Sequence, residues 1–314
     1  MNRYLKSYCR LLPVIALIVC VSSQAKEETK ALTAARIVDG YSNKALLDTA
    51  IIVEADKIIE IVKLTDIPAG TPVIDLGDAT LMPGMIDAHM HPLLSSGDYQ
   101  EKHLAQSSAY KTLRAAAFLQ QLLLAGWTGI RVAGDGDVFY GDVDLKRSID
   151  EGTIIGPHMA VASHYLSITG GGGDVNYMSP EQKPMPDGLI VDGIDEIRRA
   201  VRNEVKYGSD WIKVLATGAY LSVGDSPKNV SFSPEEFQAV VDEANRQGIP
   251  VMAHAHATAG IKQALDAGVR SIEHGTFLDD EVIAMLAKQD TWLIPTIYIG
   301  DYYHEKGTLR EDER

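Results

Sequence analysis

Cysteine is scarce in this sequence, with only Cys9 and Cys20 among 314 residues. Both lie in an N-terminal stretch that has basic residues but no acidic one, followed by an apolar run. The basic start, an apolar run of about a dozen residues and the small Ser23 and Ala25 predict a secretory signal peptide over residues 1–25. A short membrane anchor is the alternative, although the run is too short to span a bilayer as a stable helix.

Removal of residues 1–25 would leave a chain without any thiol. Such a chain has no disulfide and no cysteine ligand, so any transition-metal site must use histidine, carboxylate or water. A signal peptide also predicts a periplasmic or secreted location, with no stable membrane span after cleavage. Positive charge is scarce too, and the net charge of −14 would become −17. This excess of negative charge predicts no nucleic-acid partner, because phosphate would repel the chain.

Phosphate-binding motifs are also missing. The glycine-rich "TGGGGD", Thr169 to Asp174, has no following Gly-Lys-Ser/Thr and lacks the spacing of a dinucleotide-binding loop. We interpret it as a loop or a backbone nest.

Two patterns divide the rest of the chain. Residues 31–80 contain short β-rich runs between turn residues, with a hairpin predicted at Glu54–Lys57, and predict a small β subdomain. Residues 81–314 alternate strands with amphipathic helices, of which the clearest begins at a capping box from Ser233 to Glu236. Strands are predicted near residues 82–89, 128–134, 158–166, 210–217, 250–255, 270–274 and 291–299.

Strands that alternate with helices predict an α/β fold with a parallel sheet. Seven such strands fit a (β/α)8 TIM-like barrel whose last strand is missing, and an open doubly wound sheet is the alternative. We therefore expect the sequence to be a truncated piece of a longer protein.

Histidines are concentrated at the ends of these predicted strands. His89 and His91 are two residues apart, so on a strand their side chains face the same way. His254, His256 and His274 follow later strands. Because the carboxyl ends of the strands in a parallel barrel open on one face, the five side chains should converge. Neutral imidazoles are typical zinc ligands.

Lys213 lies inside the apolar strand "DWIKVLATG". A buried, unpaired ammonium is costly, so the lysine must be neutral, paired or modified. It could form a Schiff base, pair with a buried acid, or react with CO2 to give a carbamate, an anionic metal ligand. With histidines on the same face, the carbamate fits best.

Together these stretches resemble the amidohydrolase superfamily, in its branch of zinc-dependent prolidase-like and carboxypeptidase-like dipeptidases. The resemblance rests on "MPGMIDAHMHP", "SITGGGGD", "DWIKVLATG", "VMAHAHATAGIKQALDAG" and "VRSIEHGTFLDDE". It implies two divalent metal ions, most simply zinc. His89 and His91 would hold one ion, His254 and His274 the other, and carboxylated Lys213 would bridge them.

The resemblance also indicates substrate contacts. His256 is expected to line the pocket, and Tyr220 to hydrogen-bond the substrate, although an ordinary loop tyrosine is the alternative. Relatives often carry a histidine where this sequence has Gly172, and His164 is a candidate substitute or else a packed strand residue. The catalytic aspartate of relatives ends an eighth strand, which would lie beyond Arg314, so no catalytic residue is named.

The implied activity is hydrolysis of a C–N amide bond by a metal-activated water, in a dipeptide or an N-acyl amino acid. One alternative is a cyclic-amide or imidazolone-type hydrolase, whose members commonly lack the lysine. Another is a non-catalytic metal-binding protein, since the eighth strand is missing. A small molecule is the expected partner, and a homo-oligomer is possible.

Overall fold

The computed structural model describes residues 29–95 and 99–306, and the predicted signal peptide lies outside the described residues. The chain divides into two compact units, Met1–Pro83 and Gly84–Arg314. Strands of the first unit are β1 (Thr29–Thr33), β2 (Arg36–Ile37), β3 (Thr49–Glu54), β4 (Lys57–Lys63), β5 (Val73–Asp75) and β6 (Thr80–Leu81). A 3-10 turn covers Leu64–Asp66.

The first unit is built around a four-stranded sheet in the order β4-β3-β1-β5. Strands β3 and β4 are antiparallel and joined by Ala55 and Asp56, which confirms the predicted hairpin. Ala31, Ala50 and Ile52 of this sheet are buried.

The second unit alternates strands with helices. Its strands are β7 (Met85–Met90), β8 (Trp127–Ala133), β9 (His158–Ala162), β10 (Tyr165–Ser167), β11 (Leu189–Ile190), β12 (Ile212–Leu215), β13 (Val251–Ala255), β14 (Ser271–His274) and β15 (Trp292–Ile294). Its helices are α1 (Tyr99–Ala105), α2 (Ser108–Leu124), α3 (Gly141–Asp150), α4 (Ile194–Tyr207), α5 (Pro234–Gln247), α6 (Thr258–Ala267), α7 (Asp280–Lys288) and α8 (Ile297–Lys306).

Every strand pair in the second unit is parallel, in the orders β7-β8-β9 and β11-β10-β12-β13-β14-β15. The N–H groups of Asp210 and Trp211 donate to the Val161 carbonyl and so link β9 to the approach of β12. This arrangement confirms the predicted α/β class with parallel strands. Within the described residues, β7 and β15 each pair on one side only.

Two predicted strands differ from the observed ones. The strand predicted at 291–299 ends at Ile294, and α8 begins at Ile297. Pro295 follows directly, and proline has no N–H to donate to a strand ladder. The strand predicted at 158–166 is divided into β9 and β10.

Helix α5 shows how local sequence sets these elements. Ser233 Oγ accepts from the Glu236 N–H, and the Glu236 carboxylate accepts from the Ser233 N–H, so the predicted capping box is confirmed. Gly248 ends the helix at φ 75°, which glycine adopts without strain. Among the described residues, no helix is both long and apolar enough to cross a bilayer.

Candidate metal centre

Five histidines from three strands meet in one group, which we call the histidine cluster. The His89 ring, on β7, lies 5.0 Å from the His91 ring and 4.8 Å from the His274 ring, measured between centroids. The His254 ring lies 4.5 Å from both the His256 and the His274 rings. One nitrogen from each of His254, His256 and His274 lies within 4.8 Å of the other two. The predicted convergence of these side chains is therefore present.

Hydrogen bonds fix which nitrogen of the β7 histidines carries a proton. His89 Nδ1 lies 2.7 Å from a carboxylate oxygen of Glu273, and His91 Nδ1 contacts the Gly134 carbonyl. Both partners only accept, so both Nδ1 atoms must donate. In the neutral rings, Nε2 then keeps its lone pair for a cation.

His254 is oriented the other way round. Its Nε2 lies 3.2 Å from the Gly218 carbonyl and must donate, which leaves Nδ1 as the free lone pair. Hydroxyl groups at 2.7 Å contact the Nδ1 atoms of the remaining two rings, Thr276 beside His256 and Thr296 beside His274. In each ring, one nitrogen is thus held by a hydrogen bond, and the other is available to bind a cation.

Lys213 is buried, with 2% of its surface exposed. Its Nζ has no hydrogen-bond partner within the described residues. Burial lowers the pKa of Lys213 to about 8, and the negative charge of Glu273 opposes this shift. Gly134 allows the close packing around the lysine stem, because a Cβ there would lie 3.1 Å from Lys213 Cγ and 2.9 Å from the Tyr165 ring.

Burial also keeps the histidine cluster neutral. It is the largest cause lowering the pKa of each ring, and the nearby positive charge of Lys213 adds to it. The pKa falls to about 4 for His91 and for His256. At neutral pH the rings are therefore unprotonated, the form that binds a metal ion.

The two remaining predicted residues, Tyr220 and His164, lie in different parts of the second unit. The Tyr220 ring lies 4.7 Å from the His256 ring, beside the cluster. His164 is buried elsewhere, with Nδ1 2.8 Å from the Glu204 carboxylate and its ring 4.4 Å from that of Tyr140. These contacts fit the packed-residue interpretation of His164, and its substrate contact stays a prediction.

Sequence reasoning missed two charged residues beneath the cluster. Glu273 is fully buried and contacts His89, and Arg131 Nη2 lies 2.8 and 2.9 Å from its two carboxylate oxygens. Each interrupts an apolar strand, in "SIEHG" and "GIRVAG". That is the signal that singled out Lys213, and it would have found both.

Comparison with known proteins identifies the family. The sequence model of the Amidohydrolase family matches residues 80–311, most of the chain. The chain belongs to the amidohydrolase family. Among curated amidohydrolase relatives, ochratoxinase of Aspergillus niger is 36% identical over 234 residues, covering 69% of this chain and 47% of that protein. The chain thus spans about half the length of these curated relatives.

Solved structures agree with this assignment. A Xaa-Pro dipeptidase with bound methionine superimposes with a TM-score of 0.83 at 31% identity, covering 90% of this chain and 70% of that one. A prolidase complexed with N-methylphosphonate-L-proline gives 0.81 at 28% identity, covering 91% and 71%. The resemblance to the prolidase-like branch of amidohydrolases is confirmed.

Proposed function

We propose that this amidohydrolase chain carries the metal centre of a hydrolase that cleaves a C–N amide bond in dipeptides or N-acyl amino acids. One observation carries the proposal. The Nζ of Lys213 is buried without a hydrogen-bond partner in the described structure, next to five neutral histidines. A relative called a dipeptidase and another called ochratoxinase support an amide as the substrate.

The donor set fits two divalent cations. His89 and His91 would hold one through Nε2, while His254, through Nδ1, and His274 would hold the other. Lys213 as a carbamate would bridge them with its two oxygens. Zinc is the simplest choice, because the cluster offers imidazole nitrogens and the chain outside residues 1–25 contains no cysteine.

Carbamate formation is consistent with the surroundings of Lys213. With a pKa of about 8, roughly a tenth of the lysine is neutral at pH 7, and only the neutral amine attacks CO2. A C–N bond forms, the amine releases one proton, and the product carries one negative charge. That charge suits a buried site otherwise lined by neutral imidazoles, because buried cations require compensation.

In amide hydrolysis, the bound cations and the protein would have different roles. Bound divalent ions would lower the pKa of a water and polarise the amide carbonyl. The protein holds the ligand rings through their second nitrogens, so little reorganisation accompanies binding. Tyr220 stands beside His256 at the edge of the cluster, where its hydroxyl could orient a substrate.

Fold closure and location are part of the same proposal. The parallel order of the second unit supports a (β/α)8 barrel. A periplasmic or secreted location follows from the apolar N-terminal run. A crystal structure would test the barrel, and determining the N-terminus of the secreted protein would test the location.

The decisive experiment combines metal analysis with a substrate panel. The protein should contain close to two zinc-like ions per chain and hydrolyse dipeptides or N-acyl amino acids in preference to cyclic amides. A chelator should remove activity, and added zinc should restore it. A metal-free, inactive protein would overturn the proposal, whereas turnover of cyclic amides alone would favour the imidazolone-type alternative.

The carbamate has its own test. Metal-free protein should take up zinc faster with added bicarbonate than in CO2-free buffer, because the bridging ligand must form first. Zinc uptake at the same rate with and without bicarbonate would remove the carbamate from the proposal but not the metal site.

A further inference from the structure

A buried ion pair lies directly beneath the histidine cluster. The Glu273 carboxylate accepts from His89 Nδ1 at 2.7 Å, from Ser271 Oγ at 2.6 Å and from Arg131 Nη2 at 2.8 and 2.9 Å. Glu273 is fully buried. Arg131 in turn donates through Nε to the Ala88 carbonyl at 2.7 Å. The carboxylate is therefore fully engaged, and every partner is itself anchored.

The pair connects the two groups of candidate ligands. Arg131 lies on β8 and holds the backbone next to His89 on β7, whereas Glu273 precedes His274 on β14. Within the described residues β7 and β14 share no backbone ladder. The side-chain contacts of Glu273 thus join histidines that belong to different sheets.

We propose that Glu273 is a positioning residue that keeps His89 in its Nδ1–H tautomer, with Nε2 held ready for one of the two metal ions. A carboxylate accepts but does not donate, so contact with Glu273 requires the proton on Nδ1. Arg131 holds the Glu273 carboxylate in place through charge-assisted hydrogen bonds. This inference rests on the proposed metal-dependent function and extends it to a residue that touches neither metal nor substrate.

A purely structural ion pair is the competing explanation, and the chain contains a matched example. Glu243, on α5, is also buried and is paired with Arg202 at 2.7 Å and Arg246 at 3.1 Å. Among the residues that the structure describes, its hydrogen-bond partners include no histidine. If burying a paired glutamate were all that mattered, Glu273→Gln and Glu243→Gln would have similar consequences.

The test is a zinc titration of the full chain against a chromophoric chelator. We expect two zinc equivalents in the unmodified protein. In Glu273→Gln, one equivalent should weaken by about 10- to 100-fold while the other is unchanged, because His89 is the one candidate ligand in contact with Glu273 and it loses its charged, acceptor-only partner. Glu243→Gln should bind both normally. Equal weakening of both sites, or no weakening, would overturn the inference.

Two further measurements test the inference independently of the zinc titration. If Glu273→Gln does not fold, nitrogen-15 NMR of histidine side chains in the metal-free, unmodified protein still reports the tautomer. An Nδ1–H signal for His89 supports the inference, and an Nε2–H signal overturns it. With cobalt in place of zinc, the visible spectrum should change in Glu273→Gln but not in Glu243→Gln. Failure of the proposed function is separate, since the unmodified protein would then bind no metal.

Discussion

Two lysines are buried in the second unit, and their surroundings are opposite. Lys111, on α2, is 3% exposed, and its Nζ contacts His103 Nδ1 at 2.8 Å, the Gly136 carbonyl at 2.9 Å and Asp137 at 3.6 Å. Lys213 is 2% exposed, and its Nζ has no such partner in the described part of the chain. The Lys111 amine thus completes a hydrogen-bond network, whereas the Lys213 amine lies near imidazole rings without a hydrogen bond to any described residue.

The difference distinguishes a lysine that is held by acceptors from the one proposed to be reactive. Burial lowers the pKa of Lys111 too, but the Asp137 carboxylate opposes this shift, and the carbonyl and imidazole acceptors make the burial tolerable. Around Lys213, burial lowers the pKa to about 8, so the neutral amine is accessible. Burial alone therefore does not mark a functional lysine, whereas burial without acceptors makes Lys213 the candidate.

Replacing Lys213 should have the largest effect. Lys213→Met removes the proposed bridging ligand, and we expect hydrolysis and metal binding to fall by more than about 100-fold, beyond the loss typical of residues outside the ligand set. Metal content by mass spectrometry and the rate of amide hydrolysis measure this. Lys111→Met is the matched control, and full activity in Lys213→Met would refute the comparison.

Replacing Lys111 should instead reduce stability. Lys111→Met leaves Asp137 and the Gly136 carbonyl without their buried partner, which we expect to cost about 3 kcal/mol of unfolding free energy. Urea denaturation measures it at fixed zinc concentration. Metal content should stay at the unmodified level; loss of metal here would mean that the two lysines are not distinct in role.

Asp187 provides a test through pH. Burial raises its pKa to about 7, and hydrogen bonding to Gln100 and the charge of Lys111 oppose this. Between roughly pH 4 and 7 the folded state holds a proton that the unfolded state has lost, so stability falls by about 1.4 kcal/mol per pH unit as pH rises. Asp187→Asn should remove this slope.

Urea denaturation at pH 5 and pH 7.5 checks the Asp187 prediction. Asp225→Asn is the comparison variant, because Asp225 lies in another loop and burial raises the pKa of its carboxyl as well. Parallel curves for the unmodified protein and Asp187→Asn would contradict the assigned pKa.

His164 should give the smallest effect. Loss of its hydrogen bond to Glu204 in His164→Leu is expected to cost about 1–2 kcal/mol, since Glu204 keeps Tyr140 and Ser209 as donors. The Michaelis constant and metal content should not change, which steady-state kinetics and urea denaturation would show. A raised Michaelis constant would restore His164 as a substrate contact.

Much of this molecule follows from short-range sequence pattern. The capping box at Ser233, the hairpin after Glu54 and the alternation of strands and helices depend on neighbours a few residues apart. So does the facing of His89 and His91, since side chains two apart on a strand share a side. The error at residues 291–299 arose because the effect of Pro295 was outweighed by the apolar run around it.

The sequence alone placed the histidines and Lys213 at the ends or in the interior of strands, because residue types and strand positions are local properties. Only the tertiary structure decided which ring nitrogen is free, that His164 turns to Glu204, and that Glu273 joins His89 to Arg131. These contacts connect residues distant in sequence, and hydrogen-bond partners across a sheet are set by packing, which no local pattern encodes.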